Sequence, residues 1–355
     1  MKPKIVIYSA FLTPFRSGAE ACAEEVPLRL KHDFDFTIIT SRLSRKLPKK
    51  DMLKGHIPII RVGFGSKFDK WLFPFLAPLA ARKLKPDIIH GILETFAGQA
   101  LIHSSVIVFK AKRILTLQTT NRSFKKKEIT KSPHKVTAIS SALVHYAKSV
   151  GRNDVVLIPN GVNSEEIENA LGWYEKIKGR ILFVGRLEPQ KGVDILLQAL
   201  AKQKDLRWDL KLVGDGSQKE ILKKLSSDLG ISDRVHFLGY VPVPDVYKEY
   251  AQAEIFCGLS RSEALGNVFL EAQAAGCAVV GTKTGGIPDI VHNGTNGILV
   301  KPDNIDMAAE AIGRLVKDPS LRSKLSSAGK KNAQKYDWEE VAERYSEVYR
   351  SAIGY

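Results

Sequence analysis

The sequence predicts an α/β protein built from two doubly wound, Rossmann-like domains with mostly parallel sheets. Its 355 residues are too many for one ordinary hydrophobic core. Short apolar runs alternate with longer amphipathic stretches through both halves, which is typical of β-α-β units. Glycine-bearing turns follow several of these runs, as they do where a buried strand leads into a helix.

The first half opens with a predicted strand at residues 4–10 and a predicted helix at residues 17–30. Helices at residues 95–109 and 141–150 connect later strands, which implies right-handed crossovers and a mostly parallel sheet. The other strands predicted in this half are residues 36–41, 57–62, 87–92, 114–119, 136–140 and 155–159.

The second half repeats the scheme after a turn at Pro159-Asn160-Gly161. We predict an N-terminal domain at 1–165, a second domain at 166–336 and a last helix at 337–355. That tail has large apolar residues at helical spacing, and it could cover the first domain or its own. The predicted strands are 180–185, 210–214, 235–239, 255–259 and 278–282, and the helices 193–202, 219–228 and 245–253.

Composition limits the protein class and the compartment. Hydrophobic residues make up 44% of the chain, as in globular proteins. The three cysteines, Cys22, Cys257 and Cys277, show no metal-ligand spacing, and their odd number favours a reducing compartment. The chain has neither a secretory signal pattern nor an apolar run of about 18 residues, so we expect a cytoplasmic location.

Residues 257–291 contain two carboxylates around a helix start. Glu263 lies in a polar loop, Gly266-Asn267 opens the helix, and Glu271 follows just over one turn later. The first amide N–H groups of a helix have no partner inside it, so they can donate to phosphate or sugar oxygens. Glu263 can reach hydroxyls of the same ligand, and Glu271 can accept from a diol such as ribose. This stretch predicts a site for a polyol phosphate.

A second loop supplies positive charge. Arg186 and Lys191 stand five positions apart between a predicted strand and a predicted helix, flanked by Gly185 and Gly192. Fixed cations and N–H groups in a partly dry cleft stabilise a diphosphate, whether bound or leaving. The alternative is a solvated basic loop.

The loop after the first strand contains Arg16, Ser17 and Gly18. Gly18 permits close approach of the backbone to a ligand at the start of the next helix. Arg16 could meet an acidic acceptor or remain solvated. The loop lacks the Gly-x-Gly-x-x-Gly dinucleotide fingerprint, which argues against a nicotinamide enzyme.

Taken together, these motifs resemble those of retaining, nucleotide-sugar-dependent glycosyltransferases of the GT-B fold, in glycosyltransferase family 4. The resemblance to its Glu-x7-Glu signature rests on Ser260, Glu263, Gly266, Glu271, Ala272, Gly276, Gly285 and Gly286. It implies two domains facing a central cleft, with the last helix crossing back to the N-terminal domain.

The resemblance also implies roles for individual residues. Arg186 and Lys191 would hold the donor pyrophosphate, Glu263 would orient the sugar, and Glu271 would bind the ribose. The other donor-binding residues it implies are Gly18, Gly185, Gly214, Gly216, Leu265, Gly266, Asn267 and Val268.

The acceptor side departs from the family. Many relatives have a histidine after a strand of the N-terminal domain, where this chain has Gln118. Glutamine can hydrogen-bond a sugar hydroxyl but cannot titrate. His90 closes another strand and could face the acceptor or be a buried structural histidine. Asn160 lies in a segment like the family's Pro-Asn-Gly-Val-Asp junction, in which Asn163 replaces the acid; a hinge and a ligand contact remain equally open.

The basic charge is concentrated in one half. Residues 1–160 contain 28 Lys and Arg against 11 Asp and Glu, a net charge of +17, whereas the rest has −1. Residues 71–79 are apolar and aromatic and lie between two basic clusters. This arrangement favours an anionic membrane surface, although the stretch could pack inside the domain. The clusters are Arg42, Arg45, Lys46, Lys49, Lys50 and Lys54, and Arg122, Lys125, Lys126, Lys127 and Lys131.

We therefore expect a retaining hexosyltransferase that uses a nucleoside-diphosphate sugar, with the base (UDP, GDP or ADP) left open. The acceptor would be a lipid-linked or cell-surface glycan at the inner face of the cell membrane. No cofactor or metal is expected, since Asp33-Phe34-Asp35 reads as a polar turn. The alternatives are a soluble transferase for a small sugar or sugar phosphate, and a basic nucleic-acid-binding protein without activity. The latter has no recognised nucleic-acid motif and leaves the carboxylates unexplained.

Overall fold

The computed structural model describes residues 2–15 and 18–354 and divides the chain into two compact units. Unit 1 comprises Met1–Gly161 and Trp338–Tyr355, and unit 2 comprises Val162–Asp337. Each unit contains one mostly parallel sheet whose strands are connected through helices. This confirms the predicted α/β class and the two doubly wound domains.

Unit 1 has an eight-stranded sheet with the order β3-β4-β2-β1-β5-β6-β7-β8. Every pairing in it is parallel except that of β3 with β4. The sequence did not predict β3, because Lys-Asp-Met-Leu at this sheet edge lacks the apolar pattern of a buried strand. The strands are β1 Lys4–Tyr8, β2 Asp35–Ser41, β3 Lys50–Leu53, β4 Ile57–Val62, β5 Ile88–Ile92, β6 Lys112–Leu117, β7 Lys135–Ala138 and β8 Val156–Leu157.

The helices of unit 1 include one from the end of the described chain. They are α1 Gly18–Leu30, α2 Asp69–Leu84, α3 Phe96–Ile107, α4 Lys126–Lys131, α5 Ser141–Ser149 and α14 Trp338–Ile353. The apolar stripe of α14 includes Trp338, Tyr345 and Tyr349, which are buried in the same core as Ile5 and Ile88. The last helix therefore packs on the N-terminal domain, as the family resemblance implied.

Unit 2 has a six-stranded parallel sheet with the order β11-β10-β9-β12-β13-β14. Its central strands are nearly continuous apolar runs, as is typical of strands that are buried on both faces of a sheet. The strands are β9 Ile177–Val184, β10 Asp209–Val213, β11 Val235–Gly239, β12 Ala253–Gly258, β13 Ala278–Thr282 and β14 Ile298–Val300. The helices are α6 Ser164–Leu171, α7 Val193–Ala201, α8 Lys219–Asp228, α9 Val246–Gln252, α10 Asn267–Ala274, α11 Ile287–Ile290, α12 Ile305–Lys317 and α13 Pro319–Gln334.

The strand order of unit 2 reverses between β9 and β12. The chain proceeds from β9 outward to β10 and β11, then returns to add β12 on the other side of β9. Ligands of open α/β sheets bind at such a point, outside the carboxyl ends of the strands. Over residues 2–15 and 18–354, every helix is too short or too polar to cross a membrane.

Candidate active site

Two loops flank the strand-order reversal in unit 2. Residues 185–192 connect β9 to α7 and include a short 3-10 turn at Pro189–Lys191, and residues 259–266 connect β12 to α10. These are the two loops in which the sequence predicted the cations and the first carboxylate. Parallel strands end at the same edge of a sheet, so residues far apart in sequence meet there.

Two glycines let the loops approach closely. Gly192 has φ +65°, and a Cβ placed on it would lie 2.0 Å from the carbonyl oxygen of Leu259. Gly285, after β13, has φ +53°, and its Cβ would lie 1.7 Å from the carbonyl oxygen of Glu263. Any larger residue would force these loops apart and would also be strained at positive φ. The loop of Glu263 is thus packed between the loops that follow β9 and β13.

Lys191 and Glu263 form an ion pair at the centre of this edge. The Nζ of Lys191 donates to Oε2 of Glu263 at 2.6 Å, although the residues are 72 positions apart. The hydroxyl of Ser260 also donates to Oε2 of Glu263, at 3.4 Å. The two charged side chains are 18% and 15% exposed, so water still reaches both. The structure therefore brings together a cation and a carboxylate that the sequence assigned to one site.

Arg186 lies on the same loop with its side chain exposed. Among residues 2–15 and 18–354, none forms a hydrogen bond or ion pair with its guanidinium. The sequence had missed the nearby Glu188, whose carboxylate accepts hydrogen bonds from the Ser217 hydroxyl at 2.7 Å and the Ser217 amide at 3.1 Å. These bonds lower the pKa of Glu188. Glu188 thus ties the cationic loop to the loop after β10, while Arg186 stays available to an anion.

Three glycines that were predicted to bind the donor lie in the loops after β9 and β10. The amide of Gly185 donates to the carbonyl of Val213 at 2.9 Å, and the amide of Gly214 donates to the carbonyl of Gly239 at 2.7 Å. The amide of Gly216 donates to the carboxylate of Asp215 at 2.9 Å. Through these hydrogen bonds of their backbone amides, the three glycines hold the strand ends and their loops in register.

Glu271 lies in the first turns of α10 and is fixed by a buried tyrosine. The hydroxyl of Tyr250 donates to Oε2 of Glu271 at 2.7 Å. Tyr250 is fully buried, and its burial and the Glu271 charge raise the pKa of its hydroxyl. Sequence reasoning missed Tyr250 because it appears only as an apolar position of α9.

The start of α10 contains the remaining predicted donor residues. Gly266 precedes the helix with φ +95°, and Asn267 and Val268 are half-buried in its first turn. The side chain of Leu265 is buried, so any ligand contact of Leu265 would be made by its backbone.

In unit 1, three predicted residues converge. The side-chain amides of Gln118 and Asn160 form a reciprocal pair, with N–O distances of 3.0 and 2.9 Å, and Asn160 Nδ2 also donates to the carbonyl of Gly18 at 3.4 Å. Both amides are almost fully buried. Arg16, which was predicted on the acceptor side together with Gln118, Asn160 and His90, lies outside the described residues.

A buried ion pair fixes the loop that contains Gln118. The carboxylate of Glu94 accepts from the amides of Gln118 at 2.7 Å and Thr119 at 3.2 Å, and from Lys126 Nζ at 3.0 Å. Lys126 also donates to the carbonyl of Asn121 at 3.1 Å. Lys126 was predicted as part of a surface cluster, and the structure corrects this: its side chain is 9% exposed, and its ammonium pairs with Glu94.

His90 is fully buried in unit 1. Its Nδ1 is 2.8 Å from the hydroxyl of Tyr349, and its Nε2 is 2.7 Å from the hydroxyl of Thr116. Burial lowers the pKa of His90 to about 3, so the ring is neutral at physiological pH. The sequence left open whether His90 faces the acceptor or is a buried structural histidine. The structure favours the buried structural histidine.

Two family models match the chain. The family model described as Glycosyl transferases group 1 matches residues 147–332, which is more than half of the chain, and the model of Glycosyltransferase Family 4 matches residues 16–166. The chain belongs to the group 1 glycosyl transferases. The resemblance to family 4 is thereby confirmed, and membership of an enzyme family favours a transferase over a nucleic-acid-binding protein.

Individual relatives of this glycosyltransferase are similar over part of its length. An uncharacterized glycosyltransferase of Methanocaldococcus jannaschii is 37% identical over 213 residues, which are 56% of this chain and 54% of that protein. A D-inositol 3-phosphate glycosyltransferase of Acidothermus cellulolyticus is 36% identical over 184 residues, 49% of this chain and 41% of that protein. The chain thus spans about half the length of these two relatives.

The fold of the glycosyltransferase matches solved structures end to end. The crystal structure of Anabaena HepE in complex with UDP and glucose has a TM-score of 0.80 and 21% identity, over 98% of this chain and all of that one. This likeness confirms the GT-B fold that the sequence resemblance implied.

The α2 helix and the residue before it give the glycosyltransferase an exposed apolar stripe of three aromatic residues and a leucine. Phe68, Trp71, Phe75 and Leu79 recur at helical spacing and are between 51% and 74% exposed. The opposite face of α2, with Phe73, Ala77 and Ala81, is buried in unit 1. The sequence had left core packing and surface exposure as alternatives for residues 71–79. The structure shows both, because one face of α2 is buried and the other is exposed.

Asp33, one end of the discounted Asp-x-Asp match, lies 3.4 Å from the guanidinium of Arg350 on α14. Across residues 2–15 and 18–354, no group of three or more His, Cys, Asp or Glu side chains is placed to hold a metal ion.

Proposed function

We propose that this glycosyltransferase moves a hexose-like sugar from a nucleoside-diphosphate donor to a hydroxyl of a lipid-linked or cell-surface glycan, with retention of the anomeric configuration and without a metal. One observation carries this proposal. The Lys191–Glu263 contact of 2.6 Å places a cation and a carboxylate together at the strand-order reversal of unit 2. In such a pair the cation can bind a diphosphate, and the carboxylate can accept hydrogen bonds from a sugar.

Arg186 and Lys191 neutralise the leaving diphosphate in this proposal. The bond between the anomeric carbon and the diphosphate oxygen breaks as the acceptor oxygen attacks from the same face. The acceptor proton passes to the departing phosphate oxygen, so no protein nucleophile is required. Glu263 accepts hydrogen bonds from the sugar hydroxyls and thereby orients the ring. This route predicts that no covalent glycosyl-enzyme can be trapped.

Glu271 binds the ribose in this proposal, and Tyr250 fixes its carboxylate for that purpose. The base is tested with UDP first, since the Anabaena structure was determined with UDP. The key measurement is thermal unfolding with UDP, GDP, ADP and their sugars in the presence of EDTA. We expect a clear stabilisation by one nucleotide in wild type and a weaker one in Glu271→Gln. Absence of any shift with all three nucleotides would contradict the proposal.

The stereochemistry and the metal requirement are tested on the product. NMR of the transferred sugar shows whether the anomeric configuration of the donor is kept. Inversion would exclude the same-face route, and loss of turnover on adding EDTA would exclude metal independence.

The acceptor is proposed to lie at the inner face of the cell membrane. The support is the α2 stripe of Phe68, Trp71, Phe75 and Leu79, near the exposed cations Lys67, Arg82, Lys83 and Lys85. Aromatic rings insert at the bilayer interface, and each cation close to an anionic surface adds about 1 kcal/mol of attraction. Such a surface would keep the enzyme next to a lipid-linked substrate.

Vesicle sedimentation tests this peripheral binding. Wild type is expected to sediment with phosphatidylglycerol-containing vesicles at low salt, and Phe68→Ser/Phe75→Ser to remain in the supernatant. Trp173→Ser removes a ring of unit 2 that is 84% exposed, more than either Phe68 or Phe75, and is the control. Binding that is absent at low salt, or that survives in the double variant, would contradict membrane docking by α2.

A soluble transferase for a small sugar phosphate is the second candidate. It is favoured by the 36% identity to the relative described as a D-inositol 3-phosphate glycosyltransferase. Here the basic half would meet a phosphate and not a lipid surface. Transfer to a free sugar phosphate at an unchanged rate in Phe68→Ser/Phe75→Ser, without vesicle binding by wild type, would establish it.

A further inference from the structure

Arg261 stands two residues before Glu263 and contacts both loops of the candidate site. Its guanidinium forms a bidentate pair with Asp194, with Nη1–Oδ1 and Nη2–Oδ2 distances of 2.9 and 2.7 Å. The Nε of Arg261 donates to Oδ1 of Asp303 at 2.7 Å, and Nη1 also donates to the carbonyl of Pro189. All three nitrogens of this guanidinium therefore donate to neighbouring segments of unit 2.

The backbone of Arg261 adds two further bonds. Its amide donates to the carbonyl of Gln190 at 2.8 Å, and its carbonyl accepts from the hydroxyl of Thr284 at 3.3 Å. Asp194 lies in the first turn of α7, three residues after Lys191. One arginine thus joins the segment before Lys191, the helix after Lys191 and the loop after β13.

The guanidinium suits this position better than an ammonium would. Its planar fork engages both oxygens of Asp194 and still presents Nε to Asp303, whereas a lysine offers one point charge. Hydrogen bonding to Asp194 is the main cause of the raised pKa of Arg261, which keeps it charged at every accessible pH. The side chain is 31% exposed, so the contribution of its ion pairs to stability is reduced by solvent.

We propose that Arg261 is a positioning residue of the donor site, which sets the separation of Lys191 from Glu263 by clamping their loops together. This inference rests on the proposed function of those two residues. Arg261 does not touch the substrate in this view. It acts through Lys191, since the contacts on either side of Lys191 both end on Arg261.

A double-mutant cycle tests the proposal. Arg261→Gln and Arg261→Lys are each expected to lower kcat/KM about 10- to 100-fold, as is typical when a group that orients a catalytic side chain is lost. In a Lys191→Met background the same substitutions should lower kcat/KM less than about 3-fold, because residues that act as a unit are not additive. The cycle is repeated on the dissociation constant of the nucleotide that most stabilises wild type, which needs no turnover.

The control is another arginine–aspartate pair in unit 2, whose two side chains are 14% and 26% exposed. Arg180 pairs with Asp209 at 3.1 Å and with Gln252 at 3.2 Å near the start of β9, away from the loop edge. Arg180→Gln should leave kcat/KM and nucleotide affinity within about 2-fold of wild type. Thermal unfolding of each variant shows whether a loss of activity follows from a loss of fold, and Asp194→Asn replaces Arg261→Gln if the latter does not fold.

The outcomes separate this inference from the function on which it rests. If wild type neither binds a nucleotide nor transfers a sugar, the proposed function fails. The positioning role is overturned if wild type is active and Arg261→Gln has the same kcat/KM. It is also overturned if Arg261→Gln lowers kcat/KM by the same factor in the wild-type and Lys191→Met backgrounds. A loss confined to the wild-type background supports it.

Discussion

Lys191→Met removes the ammonium from the site while keeping an unbranched apolar side chain of similar length. In the structure that ammonium lies 2.6 Å from the Glu263 carboxylate. If it also neutralises the leaving diphosphate, its loss should lower kcat/KM about 10²- to 10³-fold. That factor corresponds to about 2.7–4 kcal/mol of transition-state stabilisation, the usual contribution of one preorganised charge-stabilising group.

The same substitution should affect folding far less. Glu263 remains partly exposed and keeps the Ser260 hydroxyl at 3.4 Å, so water can replace the lysine. We expect the free energy of unfolding to change by less than about 1 kcal/mol. Steady-state kinetics and urea unfolding measure the two effects on one preparation.

Lys202→Met is the matched control, because Lys202 pairs with Asp306 on an exposed helix surface of the same unit. It should change kcat/KM by less than about 2-fold and the free energy of unfolding by less than about 0.5 kcal/mol. A Lys191→Met enzyme within about 3-fold of wild type would refute the role of the Lys191 charge.

Three further predictions concern groups that the structure pairs or buries. Tyr250→Phe removes the donor that fixes Glu271, so the nucleotide dissociation constant should rise about 3- to 10-fold in calorimetry, the effect of one hydrogen bond. His90 has a folded pKa of about 3, below its value in the unfolded chain, so stability should fall as the pH drops from about 6.5 toward 3, by up to about 1.4 kcal/mol per pH unit. His90→Gln should remove that part of the slope in urea unfolding. Trp338→Ala should cost about 3–5 kcal/mol of unfolding free energy, since the ring is buried against Gly161.

Each of these has a result that would contradict it. Unchanged nucleotide affinity in Tyr250→Phe would show that Glu271 needs no orienting hydroxyl. An unaltered pH slope in His90→Gln would mean that other groups dominate acid unfolding. A Trp338→Ala protein with wild-type stability would place the ring outside the cooperative core.

The sequence was most informative where one local pattern dictates the structure. The central parallel strands are buried on both faces, so their apolar runs identify them without knowledge of the rest of the chain. The loops of Lys191 and Glu263 could be located because cations, carboxylates and glycines follow such strands at fixed positions. The edge strand β3 escaped prediction, since it is paired on one side only and contains charged residues.

Contacts between loops could not be read from the sequence. The pairing of Lys191 with Glu263, and the clamp formed by Arg261, depend on the backbone paths of segments about 70 residues apart. Lys126 shows the same limit, because within a run of three lysines only its neighbours in space decide which one is buried. Burial of His90 likewise follows from the docking of α14, which no local pattern specifies.

The path of the chain has a consequence for its synthesis. Unit 1 is interrupted after Gly161 and resumes only at Trp338, so a ribosome releases all of unit 2 before it releases α14. Until then, the apolar surface that α14 covers on unit 1, including Ile5 and Ile88, stays open. Domains usually fold in order from the N-terminus as they emerge. Here unit 1 cannot be completed until α14 has been made, and the inserted unit is expected to reach its native state first.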